Sequence, residues 1–118
     1  MANPSFQQPL SQVTVKELAQ KLAACEDLQL IDVRESWEVE TAGLPGFMVL
    51  PLSEYAEWSG DIQARLDPYK ETLVLCHHGM RSAQMCQWLI QQGFTQVKNI
   101  AGGIDAYAIA IDHSVPRY

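Results

Sequence analysis

The strongest constraint on this chain is an alternation. Short runs dense in apolar and β-branched residues, at 28–33, 47–52, 72–75 and 96–100, are separated by segments whose apolar residues recur at helical spacing. Strands that alternate with helices build parallel βαβ units, and such a sheet is covered by helices on both faces. The pattern predicts an α/β fold with a central parallel sheet of 4–5 strands. At 118 residues the chain has the length of one domain, residues 1–118. In open parallel sheets, ligands gather at the carboxyl ends of the strands, so candidate chemistry is sought there.

Local signals place the helices. Thr14 and Glu17 stand as the two ends of a capping box, with Val13 and Leu18 spaced as a hydrophobic staple, so a helix starts near Thr14. Val15, Leu18, Ala19 and Leu22 then share one face. A second helix is predicted over 82–92, with Cys86, Leu89 and Ile90 on one side and Gly93 placed as its left-handed C-cap beside Phe94. A closing helix is expected over 103–111. Between these, 44–46 reads as a turn, and 53–66 reads as one or two short helices broken at Gly60. Residues 1–12 are polar and interrupted by Pro4 and Pro9, and are expected to form a flexible lead.

Charge narrows the partners. Eight basic against fourteen acidic residues leave a formal charge of −6, so binding to nucleic acid or to an anionic membrane is not expected, since both call for a basic face. No apolar run approaches the roughly 20 residues that span a bilayer, and residues 1–12 lack the basic and apolar parts of a signal peptide. A cytoplasmic location is the expectation. Cys25, Cys76 and Cys86 form no C-x-x-C pair and are odd in number, which suits free thiols in a reducing compartment.

One segment can do chemistry: Cys76-His77-His78-Gly79-Met80-Arg81-Ser82, which joins the third apolar run to the helix over 82–92. In a tight strand-to-helix loop, successive backbone N–H groups converge into an anion-binding nest, and the helix N-terminus adds partial positive charge. Gly79 permits a backbone turn that a side chain would resist, and Arg81 brings a fixed charge. A cysteine at the mouth of such a nest is expected to react as a thiolate. The competing reading of Cys76 is a small buried apolar residue at a strand end.

The loop resembles the active-site loop of the rhodanese family, and three further stretches agree with it in order. Residues 30–35, Leu-Ile-Asp-Val-Arg-Glu, resemble the family's Asp-Val-Arg-Glu strand end. Leu44-Pro45-Gly46 with Leu50-Pro51-Leu52 resembles its proline–glycine turn and the following strand. Gly93-Phe94, then Gly102-Gly103-Ile104 with Tyr107, resembles its carboxyl-terminal signature. The matches run over 28–107. Two departures are visible: Gly43 stands where the family often has histidine, and Tyr107 where tryptophan is frequent.

The resemblance implies a rhodanese-like fold and a single-domain sulfurtransferase of the thiosulfate type. Cys76 would take sulfane sulfur from a small anionic donor such as thiosulfate, carry it as a persulfide, and pass it to cyanide in vitro or to a thiol or protein acceptor in the cell. His77, His78, Gly79, Met80, Arg81 and Ser82 would form the binding loop, with Asp32 and Arg34 supporting it, and neither a metal nor an organic cofactor is called for. A non-turnover persulfide carrier or binding module acting with a protein partner is the alternative. Cdc25-like phosphatase or arsenate-reductase chemistry is disfavoured, because four residues separate Cys76 from Arg81 and the phosphatases' loop is longer.

Several residues keep two readings. His77 and His78 would either meet the donor anion or supply mainly backbone. Asp32, Arg34 and Glu35 read as an ion-pair cluster at the strand end rather than as catalytic carboxylates. Cys86 falls on an apolar face and reads as core, and Cys25 as inert. Trp37, Trp58 and Met80 are candidates for the pocket mouth, although such side chains more often serve packing. A monomer or weak dimer is expected.

Overall fold

The computed structural model describes residues 10–118. Strands β1 (Gln12–Val13), β2 (Gln29–Asp32), β3 (Met48–Val49), β4 (Thr72–Leu75) and β5 (Val97–Ile100) form one sheet in the order β1-β5-β4-β2-β3, parallel throughout. Helices α1 (Val15–Ala23), α2 (Ser36–Thr41), α3 (Tyr55–Trp58), α4 (Ile62–Arg65), α5 (Met80–Gln91) and α6 (Gly103–Ala110) connect them. The α/β architecture and the five-stranded parallel sheet agree with the sequence reading.

Strand β4 lies at the centre and all four of its residues are buried, which explains its unbroken apolar character. Its side chains alternate between two cores. Val74 and then Cys76 face Trp58, Ile62, Met85, Cys86, Leu89 and Phe94, beneath α3 to α5. Leu73 and Leu75 face Val15, Leu18, Ile104 and Ala108, beneath α1 and α6. Helices therefore cover both faces.

Register sets the site. Asp32 pairs with Leu75 across β2 and β4, so Val33 continues level with Cys76 and Arg34 leaves the strand one residue further on. Asn99 pairs with Val74 across β4 and β5, which puts a polar side chain at the same end of the sheet.

The structure amends several expectations. Residues 1–9 of the expected flexible lead lie outside the described residues, whereas Gln12 belongs to β1 and pairs with Asn99. The run over 47–52 yields only the two-residue β3. Residues 52–65 break into two single 3-10 turns and the one-turn helices α3 and α4. Helix α5 begins at Met80 rather than Ser82, because the chain turns at Gly79, whose φ is 99°.

Helix α2 was not anticipated. It is six residues long, too short to display a periodic face, and it is started by reciprocal capping between Glu35 and Glu38. The capping box at Thr14 and Glu17 and the C-cap at Gly93 form as the sequence indicates. Among the described residues, no helix is long and apolar enough to cross a membrane.

Candidate active site

Cys76 follows the last residue of β4 and is fully buried. Its sulfur accepts a hydrogen bond from the Gly79 amide at 3.0 Å and lies 3.2 Å from Ser82 Oγ. Both contacts come from the turn into α5, whose first amides have no acceptor within the helix. The buried Asn99 braces this turn, since its Nδ2 donates to the Gly79 carbonyl at 3.0 Å. That bond leaves Oδ1 to accept from the Ser82 hydroxyl. A serine has one proton to give. A Cys76 thiol therefore donates to Ser82 Oγ, whereas a thiolate draws the Ser82 proton towards sulfur.

The start of α6 holds the opposite side of the loop. Ile104 N–H donates to the Cys76 carbonyl at 2.9 Å, and Asp105 N–H donates to the His77 carbonyl at 3.1 Å. Peptide planarity then turns the His77 and His78 amides the other way. Gly103 makes this approach possible. Its φ is 62°, and a Cβ there would overlap the carbonyl oxygens of both Cys76 and His77.

A chain of charged groups flanks the loop. Arg34 pairs with Asp32, both fully buried, with Nη2 2.7 Å from Oδ2. Arg34 Nη1 also donates to the Tyr118 hydroxyl at 3.0 Å, and that hydroxyl donates to Glu38 Oε2 at 2.8 Å. Glu38, on α2, grips Arg81 in a two-pronged pair at 2.6 and 2.8 Å. The Arg81 guanidinium, against the resistance of burial, pulls the Glu38 carboxyl from its ordinary 4.5 to about 2. Arg81 is correspondingly held cationic. The fixed charge expected at Arg81 is thus present, and it is engaged by Glu38.

The histidines differ. The His77 ring lies between Tyr118, at 3.9 Å between ring centres and 6° between planes, and His78, at 3.9 Å and 29°. Its Nε2 is buried without a hydrogen-bond partner. Burial, aided by His78, lowers its pKa from the ordinary 6.5, so the ring is neutral near pH 7. His78 is exposed, with Nδ1 3.8 Å from Asp105 Oδ2.

Of the residues proposed for the pocket mouth, Met80 and Trp37 are exposed, and Trp37 meets Tyr118 edge-on at 5.9 Å. Trp58 is instead a core residue whose indole N–H donates to the Pro51 carbonyl. Glu35 stands apart from the Asp32–Arg34 pair and accepts hydrogen bonds from Ser53. Cys86 sits in the core, where burial first, and the neighbouring Cys76 second, push its thiol up to about 12. Cys25 is exposed just beyond α1.

Three site residues escaped the sequence reading. Asn99 left a faint trace, as an amide within the short strand β5. Glu38 left a weaker one, in its three-residue spacing from Glu35. Tyr118 left none, because its place depends on how the chain returns after α6.

Comparison with known proteins follows from this geometry. The model of the rhodanese-like domain family matches residues 14–110. The chain is 46% identical over 117 residues to the rhodanese-like/PpiC domain-containing protein 12, chloroplastic, of Arabidopsis thaliana, covering 97% of this chain but only 39% of that protein. It is 32% identical over 99 residues to a sulfurtransferase of Allochromatium vinosum, covering 84% of this chain and 89% of that one. The human single-domain sulfurtransferase TSTD1 superposes with a TM-score of 0.72 at 25% identity, covering 86% of this chain and 98% of that chain.

Two variants probe the frame of the loop. Gly103→Ala is expected to cost about 1–3 kcal/mol, through its positive φ and its overlap with the two carbonyls, read by denaturant unfolding. Alkylation of Cys76 by iodoacetamide should change in rate in the same variant, since the loop amides lose their fixed direction. Glu38→Gln should cost about 2 kcal/mol at neutral pH. Because the folded pKa of Glu38 lies below its ordinary 4.5, the gap between wild type and this variant should be full above about pH 4.5. It should close as the pH falls towards 2. A gap independent of pH over that range would show that the Glu38 carboxylate does not bear the load.

Proposed function

The chain belongs to the rhodanese-like domain family, and from that premise we propose that it is a sulfurtransferase in which Cys76 carries sulfane sulfur as a persulfide. The observation that carries this reading is the seat of the Cys76 sulfur. It lies at the carboxyl end of the central strand, in hydrogen-bond reach of the Gly79 amide and the Ser82 hydroxyl, at the start of a twelve-residue helix. Those donors favour an anionic sulfur over a neutral one.

The chemistry runs in two displacements. In the first, the Cys76 thiolate attacks the outer sulfur of a donor such as thiosulfate. The new S–S bond forms as the donor's S–S bond breaks, and sulfite leaves with its electron pair. In the second, cyanide or a thiolate attacks the outer persulfide sulfur, takes it as thiocyanate or as a new persulfide, and restores the Cys76 thiolate. Both steps balance without a metal or an organic cofactor. The Gly79 amide holds the anionic sulfur in each state, and the Ser82 hydroxyl joins it by turning its proton from Asn99 Oδ1 to the sulfur. His77, His78, Met80 and Arg81 shape the rest of the loop, with Asp32 and Arg34 fixing the strand end behind it.

Two observations favour a protein over free thiosulfate as the cellular donor or acceptor. Cys76 has no exposed surface, so its cover must shift before sulfur can enter. Arg81 is already paired with Glu38, which weakens its pull on a small dianion. Docking of a partner protein supplies energy for such a shift that a small anion lacks. The same Arg81–Glu38 pair argues against phosphatase chemistry, which needs the arginine free to clamp phosphate. The three free thiols suit a reducing, cytoplasm-like compartment.

The test is thiocyanate formation from thiosulfate and cyanide by wild type and Cys76→Ser, joined to intact-mass measurement after thiosulfate treatment. Turnover with a gain of one sulfur atom, both lost in Cys76→Ser, is the expected result. A mass gain without turnover would assign the relay role. No sulfur uptake from thiosulfate or from a protein persulfide would overturn the proposal.

A further inference from the structure

The chain after α6 returns to the site, and it does so outside the segment that the family model matches, residues 14–110. Val115 anchors this return in the core beneath α1 and α6. Arg117 pairs with Asp105 on α6 at 2.8 Å. Tyr118 then reaches three parts of the site together. Its hydroxyl sits between two ion pairs, accepting from Arg34 at 3.0 Å and donating to Glu38 at 2.8 Å. Its ring lies almost parallel to that of His77, the residue next to Cys76, and Trp37 meets it edge-on.

We propose that Tyr118 is a positioning residue of the sulfur-transfer site: its hydroxyl ties the Asp32–Arg34 pair to the Glu38–Arg81 pair, and its ring holds the His77 imidazole in place beside Cys76. The inference rests on the sulfurtransferase reading for its kinetic part and on geometry alone for the rest. The direction of each hydrogen bond follows from charge. A hydroxyl facing a guanidinium on one side and a carboxylate on the other must accept from the first and donate to the second. Glu38 thereby keeps the Tyr118 hydroxyl as a donor besides the two from Arg81 and the Glu35 amide, and the clamp that joins α2 to the start of α5 is held from both sides.

The ring acts separately from the hydroxyl. With Tyr118 on one face and His78 on the other, the His77 ring has little freedom to rotate, and its Nε2 stays out of water. The charged or titratable groups around it are His78 and Arg81 from the loop and α5, Asp105 from α6, Glu38 from α2, and Tyr118 itself. The two carboxylates favour its protonation, but burial opposes it more strongly. Removing the ring admits water to Nε2 and relieves that burial.

Two variants separate the two roles. Tyr118→Phe keeps the ring and loses the hydroxyl, whereas Tyr118→Ala loses both. Histidine NMR titration of each full-length protein reads the ring's role without any sulfur chemistry. His77 should titrate below 6.5 in wild type and Tyr118→Phe, and should move up towards 6.5 in Tyr118→Ala. Stopped-flow persulfide formation at Cys76 from thiosulfate, or from a protein persulfide if thiosulfate does not react, reads the hydroxyl's role. Tyr118→Phe should load sulfur about tenfold more slowly than wild type, with the slowing in the maximal rate rather than in the donor concentration needed.

The two readouts fail independently. A Tyr118→Phe that loads sulfur within about twofold of wild type would overturn the hydroxyl's role, and an unmoved His77 titration in folded Tyr118→Ala would overturn the ring's. If Tyr118→Ala does not fold, Tyr118→Leu, which preserves bulk without an aromatic face, takes its place under the same two outcomes. Absence of sulfur uptake in wild type would instead count against the sulfurtransferase reading and leave the titration to decide the ring's role.

Discussion

The site depends first on one backbone contact, the docking of the α6 start against the Cys76 and His77 carbonyls. Two amides of α6 donate to those oxygens, and the approach is close enough that only a glycine fits at 103. The loop's inner surface follows from this. Once two carbonyls are committed to α6 and a third, on Gly79, to Asn99, the intervening amides have to face the other way. A glycine pair 26 residues further along the chain would seem remote from a cysteine loop, yet it decides which way the loop's dipoles point. The same logic explains why β5 carries a buried asparagine. Its amide completes the set of acceptors and donors that a buried turn must satisfy.

Charge is arranged around this frame with little left unpaired. Asp32 answers Arg34, Glu38 answers Arg81, and Asp105 answers Arg117. A basic loop in an acidic chain of formal charge −6 thus presents little net positive field at its mouth. On the proposed reading, stabilisation of an anionic sulfur falls to short-range donors, the Gly79 amide above all, rather than to a long-range attraction. On the same reading the site discriminates by fit and approach more than by charge, in accord with a Cys76 sulfur that is closed off from solvent.

Much of this was legible in the sequence where a local rule applied. The capping box at Thr14 and Glu17, the C-cap at Gly93, and the unbroken apolar run of β4 each follow from short-range chemistry, and each forms as read. The cysteine loop was legible for the same reason, since a strand, a glycine and a helix start lie together in the chain. What escaped was non-local or too short to be periodic. Helix α2 has only six residues, β1 pairs with a strand more than eighty residues away and has only two, and Glu38 gains its meaning only when α2 packs against α5. Of its two readings Trp58 takes the packing one, since a tryptophan with a satisfied N–H is at home in a core.

The site also divides between the segment that the family model matches and the residues beyond it. The cysteine loop and the glycine pair lie within residues 14–110, where the family model matches, and they form the dipolar cradle. Tyr118 lies beyond that segment, and it closes a path of hydrogen bonds from Asp32 through Arg34 to Glu38 and Arg81. Each link in that path joins a cation to an anion or sets a hydroxyl between the two, so each donor is polarised by the next. A cradle of backbone amides tolerates many side chains around it, because backbone supplies the donors. Such a path does not: it needs a hydroxyl at one point, with a guanidinium and a carboxylate on either side.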